Sequence, residues 1–301
     1  MTVLEDFSAA LRDVAARVGP AVVSVGRAGT GVVVGPGLVA TNAHNLRAEE
    51  TDVVFADGRR ATARVAAADL DGDLAVLSTD TGDVPAIEWA TDAPQVGSVV
   101  AALASPPGSG LRVTIGTVSA VGRPFRGPRG RRIAGSIEHT APLARGSSGG
   151  PLVDGSGRVV GINTHRLGDG FYLALPAGDD LASRLEGLAR GEAPARARLG
   201  VAVAPPHVAH RLRSAVGLEP RDGLLVRAVE QGGPADRAGI RPGDLIVSVG
   251  GTAVAGPDDL HAALDTAGPT GSVEVKVVRG SEDITLSVGL GPTATGAQGT
   301  A

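Results

Sequence analysis

ARGSSGGPL, residues 144–152, brackets two serines with glycines and follows them with Pro151. Glycine lets such a turn adopt conformations that aim successive backbone N–H groups inward. A hydroxyl in that setting has room for a substrate carbonyl, and the surrounding amides can hold the negative oxygen formed on attack. Ser148 is therefore the candidate nucleophile, with Gly146, Ser147 and Ser148 as candidate oxyanion donors. A hydroxyl nucleophile needs a base. The segment ATNAHNL, 40–46, follows a strand-like run and offers His44. The segment ADLDGDLAVL, 68–77, offers Asp73 at the opening of an apolar strand. A carboxylate buried there can orient an imidazole and stabilise its charged form. Each piece has a plainer reading: a Gly-Ser turn, a structural histidine, a strand-end cap. Asp69 and Asp71 compete with Asp73 for the carboxylate role.

Outward from that turn, short β-branched runs are separated by Gly and Pro. They are AVVSV (21–25), TGVVVG (30–35), LVAT (38–41), TDVVFADG (51–58), ATARVAAAD (61–69) and DLAVLS (73–78). SVVAAL (98–103), RVTIGTVSAV (112–121), GRVVGIN (157–163) and FYLALP (171–176) follow. Strands this dense predict an all-β sandwich or barrel rather than a βαβ sheet. The chain order His, Asp, Ser is that of the chymotrypsin class and differs from subtilisins and α/β-hydrolases. Three pieces in that order, on that background, turn the plainer readings toward catalysis.

Before the strands, Leu4, Phe7, Leu11, Val14 and Val18 fall at spacings of three and four. They predict one apolar stripe on an N-terminal helix, 1–18, ended by Pro20. Leu181, Leu185 and Leu188 mark a closing helix, so a first domain spans 19–188. The polar GLARGEAPARAR run (187–198) supplies a linker at 189–198. A second domain, 199–291, shows strands at 199–204, 223–230, 244–251, 272–280 and 284–290 and helices at 206–215, 234–239 and 257–267. Asp258 and Asp259 suit the start of the last helix through its dipole. Residues 292–301 read as a frayed tail.

Composition removes several function classes. With 301 residues, about two domains are expected. Aromatics are only 2%, so the cores must be built from Val, Leu, Ile and Ala. A net charge of -4 argues against a general nucleic-acid binder, since phosphate binding favours a basic surface. The absence of cysteine excludes disulfides, cysteine-ligated zinc and thiol catalysis. GPGLVATN lacks the Lys and helix context of a phosphate-binding loop, and no metal or cofactor is expected. Met1 to Pro20 is interrupted by Asp6, Arg12, Asp13 and Arg17, so it lacks the apolar stretch of a signal peptide. No apolar run of about 18 residues predicts a membrane span. The expectation is a cytoplasmic protein, or a periplasmic or other extracytoplasmic one whose targeting segment has been removed.

Taken together, the motifs resemble those of the HtrA (DegP-like) serine proteases. ATNAHNL is similar to their TNAH segment, and DLDGDLAVL to their D-x-x-x-DLAVL. RGSSGGPL resembles their GNSGGPL, with Ser147 in place of the usual Asn. SPPGSGLRVTIGTVSAVGRPF (105–125) is similar to a strand pair ending in VSALGRP. GINT (161–164), followed by FYLALP, resembles the strands around the primary specificity pocket. RLGVAVA (198–204) is similar to the carboxylate-binding loop of PDZ domains. GGPADRAGIRPGDLIVSVGGTAV (232–254) resembles the PDZ core signature, with Gly251 replacing the usual Asn. The match runs over roughly residues 7–290. Thr140, in HTAPLA (139–144), stands where the family usually has Asp.

The resemblance implies a mainly β chain: a chymotrypsin-like double β-barrel protease domain followed by a PDZ domain, a small β-barrel with helices. It implies an uncharged specificity pocket near Pro142, Asn163, Thr164 and His165, taking small or medium aliphatic side chains before the cut. Backbone amides around Leu199, Gly200, Val201 and Ala202 would hold a chain-terminal carboxylate, the peptide adding a strand beside 201–204. Leu260, Ala263 and Leu264 would line the other wall of that groove. GRPFRGPRGRR (122–132) carries five arginines. Arg126, Arg129, Arg131 and Arg132 fall where the family has a loop that senses PDZ occupancy or neighbouring subunits. This loop is expected to relay ligand binding to the turn at 145–148. Homotrimers, usual in the family, would form through residues 1–18. The implied activity is ATP-independent endoproteolysis of unfolded or damaged proteins, controlled by C-terminal peptides at the PDZ domain. Two rivals stand beside it: a degenerate protease domain serving as a chaperone or peptide-binding scaffold, and a narrowly specific signalling protease.

Overall fold

The computed structural model describes residues 2–128, 131–133, 135–194, 197–204, 206–268 and 270–290. The expected tail, 292–301, and Arg129 lie outside these residues. The chain divides into two units, 1–193 and 194–301.

The first unit opens with helix α1 (Val3–Val18), whose start is a capping box between Thr2 and Glu5. Its apolar stripe is buried only at its C-terminal end. Val14 and Val18 are each 4% exposed, whereas Leu4 is 76% and Phe7 43% exposed. Spacing alone located the helix but not how much of its stripe would find a partner.

Six strands then close a barrel: β1 (Val22–Val25), β2 (Gly29–Gly35), β3 (Leu38–Thr41), β4 (Glu50–Val54), β5 (Arg60–Asp69) and β6 (Leu74–Ser78), in the order β1-β2-β3-β6-β5-β4. A second barrel uses β7 (Val99–Ala104), β8 (Arg112–Val121), β11 (Ile137–His139), β12 (Pro151–Val153), β13 (Val159–Gly168) and β14 (Phe171–Pro176), in the order β11-β14-β13-β12-β7-β8. Between β8 and β11 lies a small hairpin of β9 (Phe125–Arg126) and β10 (Arg132–Ile133). Helix α2 (Asp179–Ala189) packs Leu181, Leu185 and Leu188 into the first-barrel core. Strands β9 to β12 have only two or three residues each. That is too short for a period-2 pattern, which is why sequence reading passes over them.

The cores are aliphatic, as the low aromatic content demands. Leu74, Leu77, Leu103, Leu152 and Ile162 are fully buried. Each stabilises the fold by about 1.5–3 kcal/mol through lost apolar exposure.

Register explains why distant residues meet. β3 and β6 run antiparallel with Thr41 opposite Ala75, so the exit of β3 lies beside the start of β6. His44 follows the first and Asp73 precedes the second. In the other barrel, Pro151 of β12 lies opposite Ile162 of β13. The amide of Gly149 donates to the Asn163 carbonyl at 2.8 Å, and the Asn163 amide donates to the Gly150 carbonyl at 2.8 Å. The serine turn is thereby stitched to β13.

The second unit orders β15 (Val201–Val203), β16 (Leu224–Val229), β17 (Leu245–Val249), β19 (Ser272–Arg279) and β20 (Glu282–Gly289) in one sheet, with β18 (Thr252–Ala253) on β17. Helices α3 (Pro206–Ala215), α4 (Pro234–Arg237) and α5 (Pro257–Ala267) accompany it. Pro257 in the first turn of α5 and Asp259 accepting the Gly256 amide fix the helix start. Ala197 and Leu199 are buried in this unit's core, so the end of the expected linker belongs to the second unit.

Candidate active site

One cleft of the first unit, about 1240 Å³, is lined by His44, Ser148, Thr164 and His165 among others. Asp73 lies buried behind it, fully removed from solvent. His44 Nδ1 sits 2.9 Å from both Asp73 carboxylate oxygens. The His44 backbone N–H also donates to Asp73 Oδ1, at 3.1 Å. Asn42 donates its side-chain amide to the Asp73 carbonyl at 2.8 Å, fixing the loop that presents the acid.

The two competing carboxylates are committed elsewhere. Asp69 accepts the Gly72 amide at 2.8 Å and pairs with Arg184 of α2 at 3.2 Å. Asp71 faces Arg131 at 3.9 Å. Only Asp73, of the three, meets the imidazole.

Ser148 Oγ donates to the Thr164 carbonyl at 2.8 Å. The Ser148 carbonyl accepts from Thr30 N at 3.0 Å and from Asn45 Nδ2 at 2.9 Å. Thr30 Oγ1 donates to the Gly146 carbonyl at 2.7 Å. These bonds tie the serine turn to the first barrel. Gly149, at φ 92°, leaves no alternative to glycine there: a Cβ would strike the Thr30 carbonyl oxygen. Gly146 has φ 86°, also the left-handed region. The Ser147 amide is spent on the Ala144 carbonyl at 3.2 Å, so of the three expected oxyanion donors it is the one already engaged. Among the described residues, the amides of Gly146 and Ser148 have no acceptor.

The expected pocket residues separate. Thr164 and His165 line the cleft, but Asn163 and Pro142 do not. Asn163 is fully buried and gives its amide to the Pro151 carbonyl at 3.2 Å, while Pro142 is exposed. Thr164 does something the sequence did not signal. Its hydroxyl lies 2.6 Å from Asp73 Oδ2, bonding the second barrel to the acid of the first. Arg27, Arg47, Arg145 and Arg166 line the cleft against Glu50 and Asp52. Its rim is therefore locally basic in a chain whose net charge is -4.

Two other histidines flank the site. Burial holds His165 below the ordinary imidazole value, with Asp73 pulling upward and His44 downward. His139, on β11 and fully buried, stacks on Tyr172 with centroids 5.9 Å apart. Burial pushes its pKa down to about 4, against the upward pull of Asn163.

The arginine hairpin packs beside His165 and Asp71. Phe125 lies 5.8 Å from His165, ring to ring, and Arg131 reaches Asp71. Arg126 and Arg132 pair across β9 and β10. These contacts lead to the Asp73 end of the cleft rather than directly to the 145–148 turn.

In the second unit, β15 comes first in the sheet order, with β16 its neighbour. Gly200 takes a left-handed φ of 75°, and its carbonyl accepts from Glu230 N at 2.8 Å. Leu199 is buried, and Ala202 is exposed. Leu260, Ala263 and Leu264 are core residues of the same cluster against which Val201 and Val203 pack.

An imidazole backed by a carboxylate, in one cleft with a serine whose own amide and that of Gly146 are free, is a residue set suited to acyl transfer. Comparison with known proteins agrees. A family model described as a trypsin-like peptidase domain matches residues 29–162, and one described as a PDZ domain matches 225–279. A probable periplasmic serine endoprotease, DegP-like, of Halomonas elongata is 32% identical over 276 residues, covering 88% of this chain and 56% of the relative. The serine endoprotease DegS of Salmonella typhimurium is 31% identical over 276 residues, covering 86% and 75%. The chain thus spans little more than half the length of its DegP-like relatives. Among solved structures, the HtrA-type protease AlgW with a decapeptide matches with a TM-score of 0.68 and 26% identity, over 93% of this chain and 98% of that one. The serine endoprotease from Yersinia pestis gives 0.65 and 28%, over 93% and 96%. The double barrel, the PDZ unit and these relatives together establish that the chain belongs to the HtrA family of serine endoproteases.

Proposed function

We propose that this chain is an ATP-independent serine endopeptidase that cuts unfolded or damaged proteins. The observation that carries the reading is His44 Nδ1 held at 2.9 Å from the buried Asp73 carboxylate, in the cleft that Ser148 lines. Ser148 Oγ attacks the scissile carbonyl while His44 Nε2 takes its proton and returns it to the leaving amine. Asp73 keeps the imidazole oriented and balances its positive charge. The amides of Gly146 and Ser148 receive the oxyanion. Water then releases the acyl group by the same proton path. Because the Ser148 hydroxyl is bonded to the Thr164 carbonyl, the working state requires its side chain to rotate toward His44.

C-terminal peptides would bind along β15, at Leu199, Gly200, Val201 and Ala202, with the carboxylate on the loop amides and the peptide extending the sheet. Such binding would regulate cleavage. The apolar residues exposed on α1, Val3, Leu4 and Phe7, support assembly of copies through residues 1–18, as a homotrimer. The names of the relatives favour the extracytoplasmic compartment of the two that the sequence left open. Among the described residues, no helix is long and apolar enough to cross a membrane.

The test is labelling by a fluorophosphonate probe together with cleavage of denatured casein. The full chain should label and cleave, and Ser148→Ala should stay folded and do neither. A chain that neither labels nor cleaves, with or without peptides ending in apolar residues, would instead fit the scaffold reading.

A further inference from the structure

Asp73 faces two histidines. His165 Nδ1 lies 3.8 Å from Asp73 Oδ2 and 2.7 Å from Thr164 Oγ1. The His165 and His44 rings meet edge to face with centroids 5.6 Å apart, and the Phe125 ring of the arginine hairpin lies 5.8 Å away. His165 is thus held between the imidazole of the cleft and an aromatic ring.

The protons assign the direction of the chain of bonds. Thr164 Oγ1 carries one hydrogen and has two close polar neighbours. An ionised carboxylate only accepts. At 2.6 Å from Asp73 Oδ2, the hydroxyl must therefore donate to the acid, as its oxygen would otherwise repel the carboxylate. Its lone pairs then face His165 Nδ1, which must be the protonated nitrogen. The sequence of donors is His165 Nδ1–H to Thr164 Oγ1–H to Asp73 Oδ2. Each donor in such a chain polarises the next.

We propose that His165 is a positioning residue for the Asp73–His44 pair: it commits the Thr164 hydroxyl to Asp73 and thereby sets the carboxylate that orients His44. The proposal rests on the protease reading above. It gives His165 a role distinct from lining a specificity pocket.

The charged surroundings of His165 are few. From the loop before β6 comes Asp73, and from the turn after β3 comes His44. The hairpin presents Phe125, with Arg126 next along the chain. On β13 itself, Arg166 follows and lies over the Tyr172 ring, 5.6 Å from its centroid. Burial, joined by His44 and opposed by Asp73, holds His165 below the ordinary imidazole value, which favours the uncharged ring as the donor.

The experiment compares the full chain with His165→Leu and His165→Asn on one unfolded substrate. Asparagine places an amide donor near the position of Nδ1 but cannot titrate. His165→Leu should lower the plateau kcat about three- to tenfold, the size of one lost hydrogen bond, with KM within about twofold. His165→Asn should recover most of that kcat. Three results would overturn the proposal: a leucine variant with unchanged kcat, equal losses in both variants, or a loss confined to KM. Probe labelling of the parent chain keeps the two levels apart. A parent that labels and cleaves, with variants like it, removes only the role of His165. A parent that does neither removes the protease reading first.

Discussion

The two barrels hold their shares of the cleft in different states. In the first, an imidazole and a carboxylate are already bonded, and the acid's loop is secured by Asn42. In the second, the serine hydroxyl is given to its own barrel, at the Thr164 carbonyl. The difference follows from topology. β3 and β6 are neighbours, so the bond between His44 and Asp73 needs only local register. The bond that the proposed mechanism needs between Ser148 and His44 must bridge two separately closed sheets. The seam itself is not open, for Thr30, Asn45 and Thr164 all cross it. Under the proposed mechanism, the Ser148 hydroxyl must leave the Thr164 carbonyl for His44, and a regulator could act on that exchange without rebuilding either barrel.

The comparison breaks most visibly at the first barrel. His44→Ala should lower kcat/KM by about 10⁶-fold while leaving the circular dichroism unchanged, the loss expected when a member of a base–nucleophile unit is removed. Activity within a hundredfold of the parent would mean that the bonded pair is not the working one. At the seam, Gly149→Ala should cost about 4 kcal/mol, combining left-handed backbone strain with collision against the Thr30 carbonyl. Urea unfolding followed by Trp89 fluorescence reads this directly, since Trp89 is the chain's single tryptophan and lies in the first unit. An unchanged midpoint would show that the seam yields.

Inside the second barrel, the buried His139 makes stability fall in acid. Its folded pKa, about 4, lies below the unfolded value of 6.5, so the unfolded chain takes up the proton first. Stability attributable to this group is full above pH 6.5 and is lost as pH falls toward 4, by about 3 kcal/mol. His139→Leu should flatten the dependence of urea midpoint on pH across that interval. Equal slopes in parent and variant would exclude His139 as the cause. Smallest is the crossing bond from Thr164. Thr164→Val should lower kcat about 10- to 100-fold, the worth of a hydrogen bond to a charged acceptor. A loss seen in KM alone would assign Thr164 to substrate binding.

Much of this was readable in the sequence because its signals are local. Gly146 and Gly149–Gly150 announce a special turn around Ser148, and Pro257 with Asp258 and Asp259 fixes the start of α5. The double barrel and PDZ unit were legible from motifs that each occupy one short run. What was hidden depends on which strands become neighbours. Thr164 looked like a pocket wall because nothing in GINT reveals that its hydroxyl will meet an acid 91 residues earlier. Asn163, placed with it, faces the interior because side chains alternate along β13. Asp73 was chosen over Asp69 from its place at the head of DLAVL, but that Arg184 occupies Asp69 from helix α2 was not legible.

Asp73 itself occupies the left-handed region, with φ 52°. Few side chains tolerate that backbone, and asparagine is the other polar one that does so readily. The aspartate and asparagine codons differ in their first base alone. Under the proposed mechanism, a single transition at this codon would produce a decoy: a chain that folds, keeps its cleft and its peptide-binding unit, and turns over about 10⁴-fold more slowly because its imidazole is held in the wrong tautomer.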